Sequence, residues 1–231
     1  MIIDDRNIQE FFMNELLFLF HLICISFTTY AMVKFGSQAL VSFLCVQAII
    51  ANLFVIKQIT LFGLNATASD VYIVGSVLCL NMIQEYHGKD NARKAIWISF
   101  ALLVFYTIVS QIQIGYIPSP TDFSQEWYKS LLSFMPRITS ASIIVYLAVQ
   151  YFDTFFYGLL KRTWPKGHLV ARNMISITIS QALDTVLFSI LGLYGIIDNL
   201  AQIMIVSFTI KMATMILLLP VLSYIQKDAK G

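Results

Sequence analysis

The chain has 231 residues, of which 58% are hydrophobic and only 12% are charged. Because a soluble domain carries about 25% charged residues, this composition excludes a soluble globular protein and predicts one that crosses a membrane several times. The net charge of +2 and the dispersed Lys and Arg residues exclude a basic surface for a nucleic-acid partner.

Seven apolar stretches are long enough to predict membrane-spanning helices, at residues 11–33, 38–57, 69–86, 94–115, 137–160, 172–194 and 199–225. The third is short, because a hydrocarbon core of ~30 Å needs about 20 helical residues. The first follows an acidic N-terminus without the basic flank of a signal peptide, so we expect it to be retained. The predicted fold class is an all-α membrane protein with a single transmembrane domain over residues 1–231.

The distribution of basic residues predicts the orientation in the membrane. If all seven stretches cross, one side carries Lys34, Lys89, Arg93, Lys94, Lys161, Arg162, Lys166, Arg172, Lys227 and Lys230. The other side carries only Arg6, Lys57, Lys129 and Arg137. Because basic loops remain in the cytoplasm, we expect a cytoplasmic C-terminus and an external N-terminus.

The segment Tyr116–Pro136 is the one long loop, and it is external in this orientation. Asp122, with Gln125 three residues later, predicts the start of a helix. Apolar residues then follow at helical spacing, at Phe123, Trp127, Leu131 and Phe134. This pattern predicts a short amphipathic helix lying flat at the membrane interface. It acts either as a lid over an external opening or as an anchor that holds Trp127 at headgroup depth.

Asp184, in the sixth stretch, is the first candidate for a functional site. It belongs to a polar stripe with residues three to four apart, formed by Asn173, Ser176, Ser180 and Asp184. An Asp at mid-membrane costs roughly 2.5–3.5 kcal/mol on insertion scales, so its carboxylate normally faces a protein interior or a watery cavity. Gln181, in the same stretch, is a second candidate.

Lys211 lies near the centre of the seventh stretch, far from both of its ends. A buried ammonium requires a buried carboxylate, for which Asp184 and Asp153 are the candidates. Asp153 could instead pair with Arg162 or Arg172. Two interpretations therefore remain open for the lysine: it lines a functional cavity, or it forms a purely structural pair between two helices.

Five further polar residues are candidates for the same site: Asn52, Asn81, Glu85, Arg137 and Gln150. Glu85 lies near the cytoplasmic end of its stretch, where it could equally be solvated or ion-paired. Aromatic rings that could stack on a flat solute are those of Trp97, Tyr146, Tyr157 and Phe188. Carboxylates accept hydrogen bonds, lysine donates them and amides do both, so this set suits a guanine-like base. An amino acid or a proton relay would be served equally well.

Nothing in the sequence predicts a metal site or a cofactor. The three cysteines, Cys24, Cys45 and Cys79, lie in separate apolar runs, and no Cys/His spacing of a metal site occurs. The chain also lacks a GxxxxGK[ST] loop, so any ATP use would have to come from a partner protein.

Three stretches, taken together, carry a resemblance to a known family. They are Asn81–Trp97 (NMIQEYHGKDNARKAIW), Pro136–Arg162, and the segment from Arg172-Asn173 through Ser180-Gln181-Ala-Leu-Asp184-Thr185 to Gly192–Gly195. With Lys211 in the last stretch, their order and spacing resemble the bacterial queuosine precursor transporter family. Two positions depart from the family pattern, because Asn81 replaces a common Asp and His87 a common Tyr.

The resemblance implies import of a 7-deazaguanine, such as preQ0, preQ1 or queuine, across the bacterial plasma membrane for tRNA modification. It also implies a six-helix bundle similar to the substrate-binding subunits of vitamin ECF importers, with the first stretch as an addition. On this view the solute enters near Arg137 and binds mid-membrane between stretches five, six and seven. Asp184 would accept from the base, Lys211 would donate to it or hold Asp184, and further hydrogen bonds would come from Gln150, Asp153 and Gln181.

Other classes remain as alternatives. One is a substrate-binding membrane subunit of an ATP-driven ECF-type importer, and a homo-oligomer is also left open. Another is an intramembrane enzyme with Asp153 and Asp184 as an acid–base pair, but no histidine or protease-type motif accompanies either residue. A purely structural membrane protein leaves the buried Lys and Asp residues without a role. We therefore expect a transporter rather than an enzyme, with a small molecule and membrane lipid as its partners.

Overall fold

A computed structural model describes residues 5–164 and 169–213, with side chains described over 13–164 and 174–213. Its elements are α1 (Asp5–Phe35), α2 (Ser37–Phe54), β1 (Gln58–Leu61), β2 (Leu64–Thr67), α3 (Asp70–His87), α4 (Lys89–Gly115), α5 (Gln125–Leu132), α6 (Met135–Thr163) and α7 (Leu169–Phe188). A π-helical turn (Ser189–Leu193) extends α7, and the last described helix is α8 (Leu200–Ala213). The predicted all-α membrane fold is confirmed.

Five stretches of the described chain are long and apolar enough to cross a membrane: Met13–Phe35, Ser37–Phe54, Lys89–Gly115, Gln125–Thr163 and Met174–Leu193. The third predicted stretch, 69–86, does form the 18-residue helix α3. For the seventh, 199–225, the structure describes the helix up to Ala213, and the remainder lies outside the described residues. The crossing of these two stretches stays a prediction.

Two glycines make the sharp reversals between consecutive helices. Gly36 separates α1 from α2, and Gly88 separates α3 from α4, each as a single connecting residue. Both have a positive φ, of 92° and 85°. Because a side chain disfavours this conformation, glycine permits the turn at little cost. Each pair of long helices can therefore run antiparallel with almost no loop between them.

A third glycine allows three helices to approach one another closely. A Cβ atom placed on Gly75 of α3 would lie 1.8 Å from Oε1 of Gln47 in α2 and 2.4 Å from Cγ2 of Ile25 in α1. Membrane helices gain contact area where small residues let their backbones approach. Gly75 therefore marks the tight centre of the α1–α2–α3 packing.

A β-hairpin that was not predicted from the sequence lies between α2 and α3. Strands β1 and β2 pair antiparallel, from Gln58 opposite Thr67 to Leu61 opposite Leu64. The two-residue turn has positive φ at both positions, which matches the twist of a hairpin. The carboxylate of Glu15 accepts the turn's backbone N–H at 2.7 Å, which ties the hairpin to α1. The second predicted stretch, 38–57, consequently ends as a helix at Phe54.

The short helix of the long loop exists, but its predicted start is wrong. Helix α5 begins at Gln125, because Asp122 is used in the turn that precedes it. The Asp122 carboxylate accepts both the backbone N–H and the hydroxyl of Ser124, at 2.9 and 2.7 Å. These hydrogen bonds stabilise the charged form and hold the pKa of Asp122 below its usual value. Trp127 is 74% exposed on this helix, and both interpretations of the loop, lid and anchor, remain predictions.

Two apolar clusters hold the helices together at opposite ends of the bundle. One joins α2, α3 and α4, with Leu40, Leu44, Leu78, Cys79, Met82, Ile83, Ala92 and Ala95 as its buried members. The other joins the ends of α2, α6 and α7 with α8, with Val55, Leu132, Met135, Ile138, Leu193, Ile197 and Ile203. In addition to these clusters, the interior contains a cavity lined by residues of α2–α4 and α6–α8.

Candidate functional site

The central cavity lies between two sets of helices, α2–α4 on one side and α6–α8 on the other. It has two adjoining parts of about 210 and 320 Å³, which share lining residues that include Asn52, Asp184 and Lys211. The larger part falls within the range of about 300–1,000 Å³ typical of small-molecule sites. Most of the lining is apolar, and a few polar groups converge on it, which is the usual composition of a binding pocket.

An ion pair stands in the wall of this cavity. The Lys211 ammonium lies 2.6 Å from Oδ2 of Asp184, and it also donates to the Thr185 hydroxyl at 3.2 Å. Lys211 is 11% exposed and Asp184 29%, so the carboxylate is the more open of the two groups. After α7, the π-helical turn and a short connection lead the chain back along the bundle into α8. Lys211 of α8 thereby lies beside Asp184 of α7.

Carboxamides border the cavity next to this pair. Gln150 and Gln181 line its larger part, from α6 and α7 respectively. Asn52 lines both parts; its Oδ1 accepts the Ser142 hydroxyl at 2.7 Å, and its Nδ2 donates to the backbone carbonyl of Ala48 at 2.8 Å. Asn52 is therefore held in one orientation, whereas no hydrogen bond fixes the side-chain amides of the two glutamines within the described part of the chain.

Aromatic rings form an apolar wall of the cavity. Phe100 and Tyr146 line both parts of the cavity, with their ring centroids 5.1 Å apart and their planes at 82°. Phe188 adds a third ring in the smaller part. Of the other aromatic candidates, Trp97 is 56% exposed and Tyr157 is not among the lining residues.

Asp153, a candidate site residue, makes helix-to-helix hydrogen bonds instead of lining the cavity. Its Oδ1 accepts the hydroxyls of Ser176 and Ser180, both at 2.7 Å. The predicted polar stripe of α7 is thus divided: its two serines bind Asp153, and Asp184 binds Lys211. The side chains of Asn173, the first member of that stripe, and of Arg172, a predicted alternative partner of Asp153, lie outside the described residues.

Arg137 is likewise absent from the cavity lining. Its Nε donates to the carbonyl of Leu191 at 2.9 Å, and its Nη2 donates to that of Tyr194 at 2.6 Å. Carbonyls at a helix C-terminus lack intrahelical partners, so the guanidinium satisfies the end of the α7 π-turn. The remaining candidates, Asn81 and Glu85, lie toward the other end of α3 and do not line the cavity either, and Glu85 is exposed.

Several residues that line the central cavity were not predicted from the sequence. Ser99 is 6% exposed in the middle of α4, and Phe100 follows it. A signal for them existed, because the buried face of α4 carries the small residues Ala92, Ala95 and Ser99 at helical spacing. Asp70, at the start of the third stretch, was not among the predicted site residues, and the structure buries it to 2% exposure.

A bundle of apolar helices that encloses a cavity with an ion pair and several amides defines a multi-pass membrane protein of the transporter class. Residues 67–225 match the family described as "Putative vitamin uptake transporter". The chain belongs to this family. It is also 31% identical, over 189 residues, to a protein of Bacillus subtilis (strain 168) named "Probable queuosine precursor transporter".

That alignment covers 80% of this chain and 82% of the Bacillus subtilis protein. The family resemblance predicted from the sequence is thereby confirmed. No solved structure gives a significant match. The expected likeness to ECF substrate-binding subunits therefore stays a prediction.

Proposed function

We propose that this protein imports a 7-deazaguanine precursor of queuosine, of the preQ0, preQ1 or queuine type. The observation that carries the proposal is the Asp184–Lys211 pair in the wall of a cavity between apolar helices, where a solute can contact both groups. The relative from Bacillus subtilis, whose name specifies a queuosine precursor, supports the choice of substrate.

The chemistry of the lining matches the edges of such a base. A guanine-like edge presents a ring N–H and an amine as donors and a carbonyl as an acceptor. Asp184, at 29% exposure, can accept from the donors, and the Lys211 ammonium can donate to the carbonyl. The glutamine amides extend the set of hydrogen bonds, and the Phe100–Tyr146 wall offers a ring face to the flat base.

The orientation that the basic loops predict relates the two parts of the cavity to the two sides of the membrane. With a cytoplasmic C-terminus in the plasma membrane, the β-hairpin and α5 lie outside. The smaller part of the cavity, near Val55 and Phe188, then opens toward the external half, and the larger part, near Leu44 and Leu80, toward the cytoplasmic half. Rocking of α6–α8 against α2–α4 would expose the two halves alternately, as in other carriers.

The test is uptake of labelled base by bacterial cells that lack their own importer and synthesis pathway. The wild-type protein should import at least one of preQ0, preQ1 and queuine. Asp184→Asn and Lys211→Met should each lose most of this uptake, because each leaves a buried group without its partner. Normal uptake in both variants and in the double variant would refute the site.

Matched controls separate the site from a general effect of charge. Asp90→Asn and Lys129→Met make the same chemical changes at exposed positions in α4 and α5. Both should transport at the wild-type rate. Equal losses in control and cavity variants, at equal amounts of protein in the membrane, would also count against the assigned site.

A purified chain in liposomes distinguishes a carrier from a binding subunit. The chain contains no ATP-binding loop of the GxxxxGK[ST] type, so an ATP-driven importer would need a partner. We expect exchange of labelled for unlabelled base in liposomes that contain this chain alone. Base binding without any exchange would favour the ECF-type alternative.

A further inference from the structure

Asp70 is a second buried carboxylate beside the Asp184–Lys211 pair. It begins α3, is 2% exposed, and its Oδ1 accepts the hydroxyl of Ser207 from α8. Its Oδ2 is buried and has no hydrogen-bond partner among the residues that the structure describes. A buried carboxylate oxygen without a partner is costly when the group is ionised.

A small void connects this carboxylate to the lysine of the ion pair. The void measures about 20 Å³, and its lining includes Asp70, Thr185, Ser207 and Lys211. About 10–15 Å³ of such space is enough for one water molecule, provided that polar partners surround it. Asp70 and Asp184 therefore flank the same ammonium, one across this void and the other at 2.6 Å.

We propose that Asp70 is the proton-carrying group of the transporter, and that base and proton are carried inward together. The inference rests on the proposed function, since it assigns the coupling of the same cavity. Two ionised carboxylates around one ammonium leave a net buried charge of minus one, which a membrane interior strongly disfavours. In the observed arrangement, with Lys211 on Asp184, a proton on Asp70 Oδ2 makes the cluster neutral.

The coupling of base transport to proton transport depends on which of the two carboxylates pairs with the Lys211 ammonium. When the cavity is empty and hydrated, water can solvate the more open Asp184, and Lys211 can serve the buried Asp70 instead. When a base fills the cavity, it displaces the water around Asp184. The Lys211 ammonium then pairs with Asp184 and contacts the base. Asp70 then takes a proton from the external side onto Oδ2, and releases it to the cytoplasmic side after the base has left.

The charged groups around Asp70 agree with this assignment. It shares the void with Lys211 of α8, with the hydroxyls of Thr185 and Ser189 from α7 and its π-turn, and with the hydroxyl of Thr67 from β2. Asp184 lies beyond that lysine, 2.6 Å from its ammonium. His21 of α1 and Lys57 line a different cavity on the other face of α3, together with Tyr72. Lys211 is thus the cation placed to exchange between the two carboxylates within the described chain.

The test uses the full chain in liposomes, with preQ0 as an uncharged probe and the membrane potential held at zero by potassium and valinomycin. With one proton per base, a pH gradient of one unit, acid outside, should sustain about tenfold accumulation. An internal pH-sensitive dye should record acidification during uptake. Asp70→Asn should retain base exchange but lose both accumulation and acidification, while Asp90→Asn should match the wild type.

The outcomes separate the two proposals. Exchange by the wild type without accumulation or proton movement overturns the coupling and leaves the proposed function intact. Absence of exchange for preQ0, preQ1 and queuine overturns the proposed function, and the coupling with it. Gradient-driven accumulation by Asp70→Asn overturns the assignment of the proton to Asp70.

A second variant covers the case in which Asp70→Asn does not fold. Ser207→Ala removes the hydroxyl that donates to Asp70 Oδ1, so the ionised form loses stabilisation and the proton is held more tightly. The pH midpoint of uptake, measured with internal pH varied, should move to a higher value. A midpoint unchanged from the wild type would overturn the role of Asp70.

Discussion

The Asp184–Lys211 pair yields the sharpest prediction about stability, because one partner is much better shielded than the other. Asp184→Asn leaves an ammonium that is 11% exposed, with only neutral hydrogen-bond acceptors beside it, the introduced amide oxygen and the Thr185 hydroxyl at 3.2 Å. Lys211→Met leaves a carboxylate that is 29% exposed and borders a cavity that water can enter. The two single changes should therefore differ in their effect on the free energy of unfolding.

The magnitudes follow from the cost of an uncompensated buried charge. Breaking a buried pair costs about 3–5 kcal/mol, and we expect Asp184→Asn to fall within that range while Asp70 holds its proton; an ionised Asp70 would pair with Lys211 and lower this cost. For Lys211→Met we expect about 2 kcal/mol, because water in the cavity compensates part of the charge. The double variant removes both charges and should be more stable than Asp184→Asn, with a coupling energy of about 1–3 kcal/mol.

Reversible unfolding in mixed micelles, followed by far-ultraviolet circular dichroism, measures all four proteins of this cycle. The control cycle is Asp90→Asn with Lys129→Met, two exposed residues whose changes should each stay within about 0.5 kcal/mol and add independently. Strictly additive losses at Asp184 and Lys211 would refute the reasoning, since they would mean that neither charge depends on the other.

Three further changes test the packing, the helix end and the cavity. Gly75→Val should lower the free energy of unfolding by about 1–3 kcal/mol or more through overpacking, which a lower melting temperature would show. Gly158→Val, with open space at its Cβ, should cost far less. Arg137→Ala removes two hydrogen bonds to backbone carbonyls and should lower stability by about 1–3 kcal/mol while leaving KM for uptake unchanged; a raised KM would favour a substrate contact instead. Gln181→Leu should raise KM about tenfold through loss of one hydrogen bond of about 1.4 kcal/mol, and the exposed Gln113→Leu should not; equal KM values would remove Gln181 from the site.

Much of the helical fold could be predicted from the sequence, because apolar runs of membrane length leave the backbone few alternatives. With no water to satisfy its polar groups, a lipid-embedded chain forms helices. The hairpin β1–β2 escaped prediction because it lies in the short segment between two such runs. Its turn, Phe62-Gly63, lacks the Asn or Asp that usually marks a two-residue hairpin.

The cavity was predictable only in part, because composition reveals which residues are costly but not what surrounds them. Asp184 and Lys211 stand out in apolar stretches, and charge limits the partner of Lys211 to Asp184 or Asp153. Asp153 stands out equally, yet two serine hydroxyls satisfy it away from the cavity. The spacing of Ser99 with Ala92 and Ala95 indicates a buried face of α4 but not a cavity, since a buried serine in a helix ordinarily bonds its own backbone or a neighbouring helix.

The unequal settings of the carboxylates explain why one cavity can serve two tasks. Asp184 is open enough to meet a solute and lies 2.6 Å from the Lys211 ammonium. Asp70 is 2% exposed, its Oδ2 has no hydrogen-bond partner among the described residues, and its side chain lines a void of about 20 Å³. A group that must bind a base has to be reachable by that base, and a group that must hold a proton through a conformational change has to be sealed. Asp184 can therefore meet the first requirement and Asp70 the second. The two carboxylates remain coupled, because the single charge of Lys211 can neutralise only one of them.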